Sequence, residues 1–255
     1  MTTPLYYESY GSGETVVFIH GFTLDRRMWQ PQIADFAQNY RVIAYDQRGF
    51  GKSPLPTGEY SHTDDLAALL DSLQIESATL VGLSRGGSVA INFALAHPQR
   101  VARLVLVDAV LEGHRWSEEQ RTQDQFVFEQ AQTAGIDAGK AAWLAHPLFA
   151  ASFRQAQVKN AVAEMVEEYS GWHFVNRDLA QRSKPYASER LSEISCPTLA
   201  IVGQEDGIDF QQIAERLRDG IPNARKAIIA NCGHLPNLEA PKAFNQLVLE
   251  FVKDK

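Results

Sequence analysis

Cysteine is scarce: only Cys196 and Cys232 occur in 255 residues. That is too few for a disulfide framework, and neither stands in a Cys/His spacing that would ligate a metal. Both are expected as free, mostly buried thiols, and no metal site is expected. Basic residues are also short, with 24 Lys and Arg against 31 Asp and Glu and a formal net charge of -7. No Lys/Arg cluster is interleaved with aromatics, so a nucleic-acid backbone would be repelled overall. Long apolar runs are missing as well. Nothing approaches the roughly 18 uninterrupted apolar residues of a membrane span. Met1 to Glu8 lacks both the basic stretch and the apolar run of a signal peptide. The expectation is a cytoplasmic protein acting on a small molecule, without internal repeats or low-complexity tracts. What the chain does have is 45% hydrophobic residues, enough to build one large α/β domain or a domain carrying an insertion.

Short β-branched runs alternate with segments of helical period. Val16 to Ile19, Arg41 to Tyr45, Ala78 to Val81, Leu104 to Val107, Thr198 to Val202 and Lys226 to Ile229 read as strands buried on both faces. Between them Leu66, Leu69, Leu70 and Leu73, then Phe210, Ile213, Ala214 and Leu217, then Phe244, Leu247, Val248 and Phe251 recur at the spacing of amphipathic helices. Such alternation with right-handed crossovers predicts an α/β fold with a doubly wound, mostly parallel sheet. Tyr6 to Tyr10, before Gly11-Ser12-Gly13, is expected to add an antiparallel edge hairpin.

The alternation fails from about 111 to 191, where helical patterns follow one another without a strand. This stretch reads as a helical lid inserted into a core made of residues 1–110 and 192–255. It holds three of the four tryptophans, Trp116, Trp143 and Trp172, with Phe126, Phe128, Phe149, Phe153 and Phe174. Trp143, Phe149 and Trp172 are candidate substrate-binding residues, since apolar walls with a few placed polar groups make small-molecule sites. The competing reading is that they only pack the lid's own core.

The strongest chemical signal is Gly82-Leu83-Ser84-Arg85-Gly86, directly after a strand and directly before an apolar helix. A serine on so sharp a strand-to-helix turn is exposed as a nucleophile, and the helix N-terminus points its dipole at the charge that builds during acyl transfer. Its base is expected in Asn231-Cys232-Gly233-His234, after the last strand; the other histidines open turns, flank helices or lie in the insertion. The acid should follow a strand at its C-terminal end. Asp206, in Gly203-Gln204-Glu205-Asp206, fits the order serine, acid, histidine. Asp108 is its main rival, while Glu205 and Asp209 flank it. The oxyanion hole needs two preset N–H groups: that of Arg85 and, from His20-Gly21-Phe22, that of Phe22.

His20-Gly21-Phe22, Asp46-Gln47-Arg48-Gly49-Phe50-Gly51-Lys52-Ser53, the Ser84 elbow and the Asp206/His234 pair together resemble the lidded α/β-hydrolase superfamily. Within it the chain is similar to the small carboxylesterase and 3-oxoadipate enol-lactonase branch. The resemblance spans nearly the whole chain. It implies a Ser-His-Asp hydrolase of a small ester or lactone that uses no cofactor. Ser84 departs from the aspartate nucleophile of dehalogenases and epoxide hydrolases, and Phe22 departs from the third glycine of the lipase loop. Two alternatives share the motifs: a hydrolase of C–C bonds in vinylogous diketones, and a receptor that keeps the triad but signals to a protein partner. Arg85 has two readings, a contact for an anionic substrate group or a structural ion pair with an acid such as Asp25.

Overall fold

The computed structural model describes residues 4–253. In chain order the elements are β1 (Tyr7–Tyr10), β2 (Thr15–Ile19), α1 (Gln30–Phe36), β3 (Arg41–Tyr45), α2 (His62–Ser72), β4 (Ala78–Leu83), α3 (Arg85–Ala96) and β5 (Val101–Val107). There follow α4 (Glu118–Ala134), α5 (Ile136–Leu144), α6 (Ala156–Glu168) and α7 (Trp172–Val175). The chain closes with β6 (Thr198–Gly203), α8 (Ile208–Gly220), β7 (Ala224–Ile229), α9 (Pro236–Glu239) and α10 (Pro241–Lys253).

The strands form one seven-stranded sheet in the order β1-β3-β2-β4-β5-β6-β7. Every pairing is parallel except β1 with β3. Successive side chains on a strand point to opposite faces, and β2 shows what covers each. Val16 and Phe18 join a core with Trp29, Phe36 and Phe244, under α1 and α10. Val17 and Ile19 join a second core with Leu66, Ile91, Phe93 and Ile213, under α2, α3 and α8. Two covered faces explain why the strands read as unbroken apolar runs.

The expected edge hairpin does not form. The first strand is an antiparallel edge, but Tyr7 pairs with Tyr45 of β3 rather than with β2. Both sides of β2 are already occupied, by β3 and β4, so no ladder position is left for its sequence neighbour.

Four helices, α4 to α7, are inserted between β5 and β6. Helices α4 and α5 meet closely at Gly139, where a Cβ would run into Ala131. The aromatics of the stretch divide. Phe174, Phe149 and Trp143 are buried, whereas Phe126 is exposed and Trp116 packs edge-on against Phe210 of α8, with ring centres 5.4 Å apart. Among the described residues, no helix is long and apolar enough to cross a membrane.

Candidate active site

The sheet reverses its winding at β2, so the carboxyl ends of β2 and β4 lie side by side. Such a switch point is where open α/β sheets bind ligands. Ile19 is in register with Gly82, which sets Gly21-Phe22 next to Leu83-Ser84. The approach is close: a Cβ on Gly21 would stand 3.5 Å from that of Ser84.

Ser84 has φ 54° and ψ -117°, a backbone conformation that costs a residue with a side chain about 1–3 kcal/mol and persists only where its surroundings impose it. Those surroundings are visible. Its N–H donates to the Val107 carbonyl at 2.9 Å, and its own carbonyl accepts from Gly87 at 2.9 Å and Val110 at 3.0 Å. Gly82 and Gly86 make the turn possible, because a Cβ on Gly82 would collide with the Gly86 carbonyl and one on Gly86 with that of Ile19.

His234 follows β7 and is buried. Its Nδ1 and an Asp206 carboxylate oxygen are 2.8 Å apart, and the second Asp206 oxygen accepts the Gly207 N–H at 2.8 Å. The ring lies against Phe210, with centres 4.4 Å apart. Nε2 is buried without a hydrogen bond, and the residue lines the same cavity as Ser84. Nδ1 bonded and Nε2 open is the arrangement in which an imidazole can take a proton from a serine hydroxyl.

Glu239 carried no sequence signal, yet it brackets this histidine. Its carboxylate accepts the Gly233 N–H at 2.8 Å and the Leu235 N–H at 2.9 Å, and the Ser152 hydroxyl from the inserted segment at 2.6 Å. The peptides on both sides of His234 are thereby fixed, and joined to the insertion.

The two candidate oxyanion donors stand on either side of the elbow. Arg85 opens α3, so its N–H has no intrahelical acceptor. The Phe22 N–H makes no hydrogen bond among the described residues. The Phe22 ring is enclosed by those of Phe50, Phe128, Trp143, Tyr169, His173 and Phe174, so aromatics of the insertion hold the loop that carries this amide. His20 braces it from behind: Nδ1 lies 2.7 Å from the Gly21 carbonyl and Nε2 accepts the Gln47 N–H at 2.9 Å. Burial lowers the pKa of His20, in keeping with a neutral ring that donates with one nitrogen and accepts with the other. Asp46 ties down the rest of that motif by accepting the Arg26 and Lys52 N–H groups at 2.9 and 2.8 Å.

Trp143 and Phe149 line the cavity beside Ser84 and His234, with Leu24, Leu148 and Leu235. Trp172 does not. It is half-buried and stacks edge-on with His173, centres 4.9 Å apart. The cavity is about 20 Å³, room for a water molecule and little more. Trp143 donates from its indole nitrogen to the Thr23 hydroxyl at 2.6 Å, which pins the wall to the loop just past Phe22.

The Arg85 side chain leaves this apolar cavity for a polar one of about 330 Å³, lined by residues including His62, Asn92, Glu112 and Asp178. It donates to Asp178 at 3.1 Å and lies 2.7 Å from His62 Nε2. Asp25, the acid expected to pair with it, is instead held by Arg27 at 2.7 Å. Two residues earlier in sequence, Asp25 caps the turn in which Arg27 lies, whereas Asp178 is brought up only by the return of the insertion.

Residues 14–241 match the model of the alpha/beta hydrolase fold family, and the chain belongs to that family; it is an α/β hydrolase. It is 32% identical to a 2-hydroxy-6-oxononadienedioate/2-hydroxy-6-oxononatrienedioate hydrolase of Cupriavidus pinatubonensis, over 95% of this chain and 88% of that one. It is 30% identical to 3-oxoadipate enol-lactonase 2 of Acinetobacter baylyi, over 98% and 93%. Among solved structures, a thermophilic esterase from Thermogutta terrifontis is similar, with a TM-score of 0.84 and 30% identity over 98% of this chain and 93% of that one.

Proposed function

We propose that the chain hydrolyses a small carboxylic ester or lactone through an acyl-enzyme on Ser84. The observation that carries this reading is the pairing of a strained elbow serine with a histidine that lines the same cavity, its Nδ1 bonded to Asp206 and its Nε2 without a hydrogen bond. His234 Nε2 accepts the hydroxyl proton as Ser84 Oγ attacks the carbonyl carbon. The oxyanion is met by the N–H groups of Phe22 and Arg85. Collapse of the intermediate expels the alcohol, which takes the proton back from His234. Water then repeats the sequence on the acyl-enzyme. Asp206 holds the imidazole in the useful tautomer and stabilises its charged form. The constellation needs no metal or cofactor for any of these steps.

The small cavity supports a small acyl group. Its apolar wall, Leu24, Leu148, Phe149 and Leu235, offers no charged partner for an acyl-chain carboxylate. The test is a panel of p-nitrophenyl esters of increasing acyl length beside small lactones and vinylogous diketones, assayed with wild type and Ser84→Ala. Ester or lactone turnover that Ser84→Ala abolishes is the expected result. Turnover confined to the diketones would favour C–C hydrolysis and a substrate nearer to the 2-hydroxy-6-oxononadienedioate named for the Cupriavidus relative.

A further inference from the structure

Behind Asp206 lies a second buried carboxyl that the mechanism above does not use. Asp108 follows β5 directly, at φ 42°, and is 1% exposed. One of its oxygens accepts the Gly203 N–H at 2.9 Å, while the other is buried without a donor. A carboxylate oxygen from each aspartate and a ring nitrogen of His234 all lie within 4.8 Å of one another.

Two carboxylates so placed and so deeply buried cannot both be ionised. The donors decide which keeps the charge. Asp206 has two, the ring N–H of His234 and the Gly207 amide. Asp108 has one, the Gly203 amide. Burial raises the pKa of Asp108 well above the carboxylate range, and Asp206 and then Glu239 add to the rise. The groups facing it are thus Asp206, His234 and Glu239, two acids and a base that Asp206 already engages.

We propose that Asp108 is a positioning residue, a neutral carboxylic acid whose proton, on the oxygen that lacks a donor, is given in a hydrogen bond to Asp206. This rests on the proposed roles of Ser84, His234 and Asp206. The bond fixes the Asp206 carboxylate toward His234. The Gly203 amide fastens the donor to the strand from which Asp206 departs, so the acid and its support move as one body.

A neutral Asp108 has a near-isosteric replacement. In Asp108→Asn the amide carbonyl can accept from Gly203 and the amide N–H can donate to Asp206. Titration to completion with a fluorophosphonate counts the competent serines, so kcat is read per competent site. Asp108→Asn is expected to keep kcat within about threefold of wild type, while Asp108→Ala loses roughly 10- to 100-fold in kcat at little changed KM, the worth of one hydrogen bond to a charged group. Asp206→Asn should lose about 10⁴-fold, as triads do when the orienting acid is neutralised. If instead Asp108→Asn is inactive and Asp206→Asn is tolerated, Asp108 is the charged acid and the proposal is overturned. Unchanged kcat per site in Asp108→Ala overturns it too, leaving a purely structural aspartate. Should Asp108→Ala not fold, the two asparagine variants decide alone. Wild type that turns over no ester or lactone and takes no fluorophosphonate on Ser84 would sink the ester-hydrolase reading itself, which none of the variant outcomes does.

Discussion

The guanidinium of Arg85, next in sequence to Ser84, donates to Asp178 at 3.1 Å, so the helix that opens at the elbow is tied to the chain returning from the inserted helices. Tyr60 shares the aspartate, donating to it at 2.8 Å. Burial alone would raise the Asp178 pKa, but Arg85 and Tyr60 together bring it below its ordinary value. Both partners of the ion pair keep about a quarter of their side chains in water, 23% and 26%. A double-mutant cycle on Arg85→Met and Asp178→Asn should therefore return a coupling of about 1 kcal/mol or less, falling as salt is added. A coupling of several kcal/mol, insensitive to salt, would show that the pair is sealed from solvent.

Acid should destabilise the fold through its buried histidines. Burial and Arg85 hold His173 down at about 4, and His20 and His62 are also lowered chiefly by burial. Each binds a proton more readily in the unfolded chain, so the stability they contribute is full above the ordinary histidine value and is lost as pH falls toward the folded one. For His173 that window runs from the ordinary imidazole value of 6.5 down to about 4, worth on the order of 3 kcal/mol in all. His173→Phe keeps a ring stacked on Phe50, now 4.5 Å from that of His173, and removes the titration. Its urea midpoint should change less over this window than that of wild type. Parallel curves would mean that His173 takes up its proton over the same pH range in the folded and the unfolded chain.

The insertion residues at the cavity serve as wall and packing at once. Phe149 and Trp143 border the Ser84 cavity and are 2% and 8% exposed within the core. Phe149→Ala should thus cost about 3–5 kcal/mol of stability and also move the kcat/KM ratio toward longer acyl chains. Trp172→Ala, off the cavity and half-buried, should leave that ratio unchanged. A shift with Trp172→Ala and none with Phe149→Ala would place acyl binding elsewhere.

Dialysis against EDTA should leave activity intact. The only trio of His, Cys, Asp or Glu among the described residues with ligand atoms close enough for an ion is Asp108, Asp206 and His234, and there Asp206 accepts from His234 Nδ1, which leaves that nitrogen no lone pair for an ion. Activity that is lost and returns only with added metal would contradict this.

The sheet was legible because strands covered on both faces leave unbroken apolar runs, and the helices because their buried residues recur at a fixed spacing. What fooled the pattern was pairing: nothing in Tyr6 to Tyr10 says that β2 has no free side. Ser84 and His234 were proposed from short motifs at strand ends, and the structure brings them to one cavity. Asp206 and Asp108 follow neighbouring strands in the same manner, so sequence could rank them but not see that their carboxylates come within 4.8 Å of each other. Glu239 was missed because an acidic residue in a short polar helix looks like any solvated one. Asp178 lies 93 positions from Arg85, and no local pattern encodes such a pair. Trp172 was grouped with Trp143 and Phe149 on composition, although only packing separates wall from surface.

Labelling with a fluorophosphonate, followed by peptide mapping, tests the assigned nucleophile most directly. Burial pushes the Cys232 thiol up to about 11, so it should not compete. One adduct per chain is expected, on Ser84; it should be absent in Ser84→Ala, and His234→Ala should lower both its rate of formation and kcat, the latter by roughly 10⁴- to 10⁶-fold, as for triads whose members act as a unit. An adduct on Cys232 or on another serine, or full labelling speed without His234, would contradict the assignment of Ser84 and His234 as nucleophile and base.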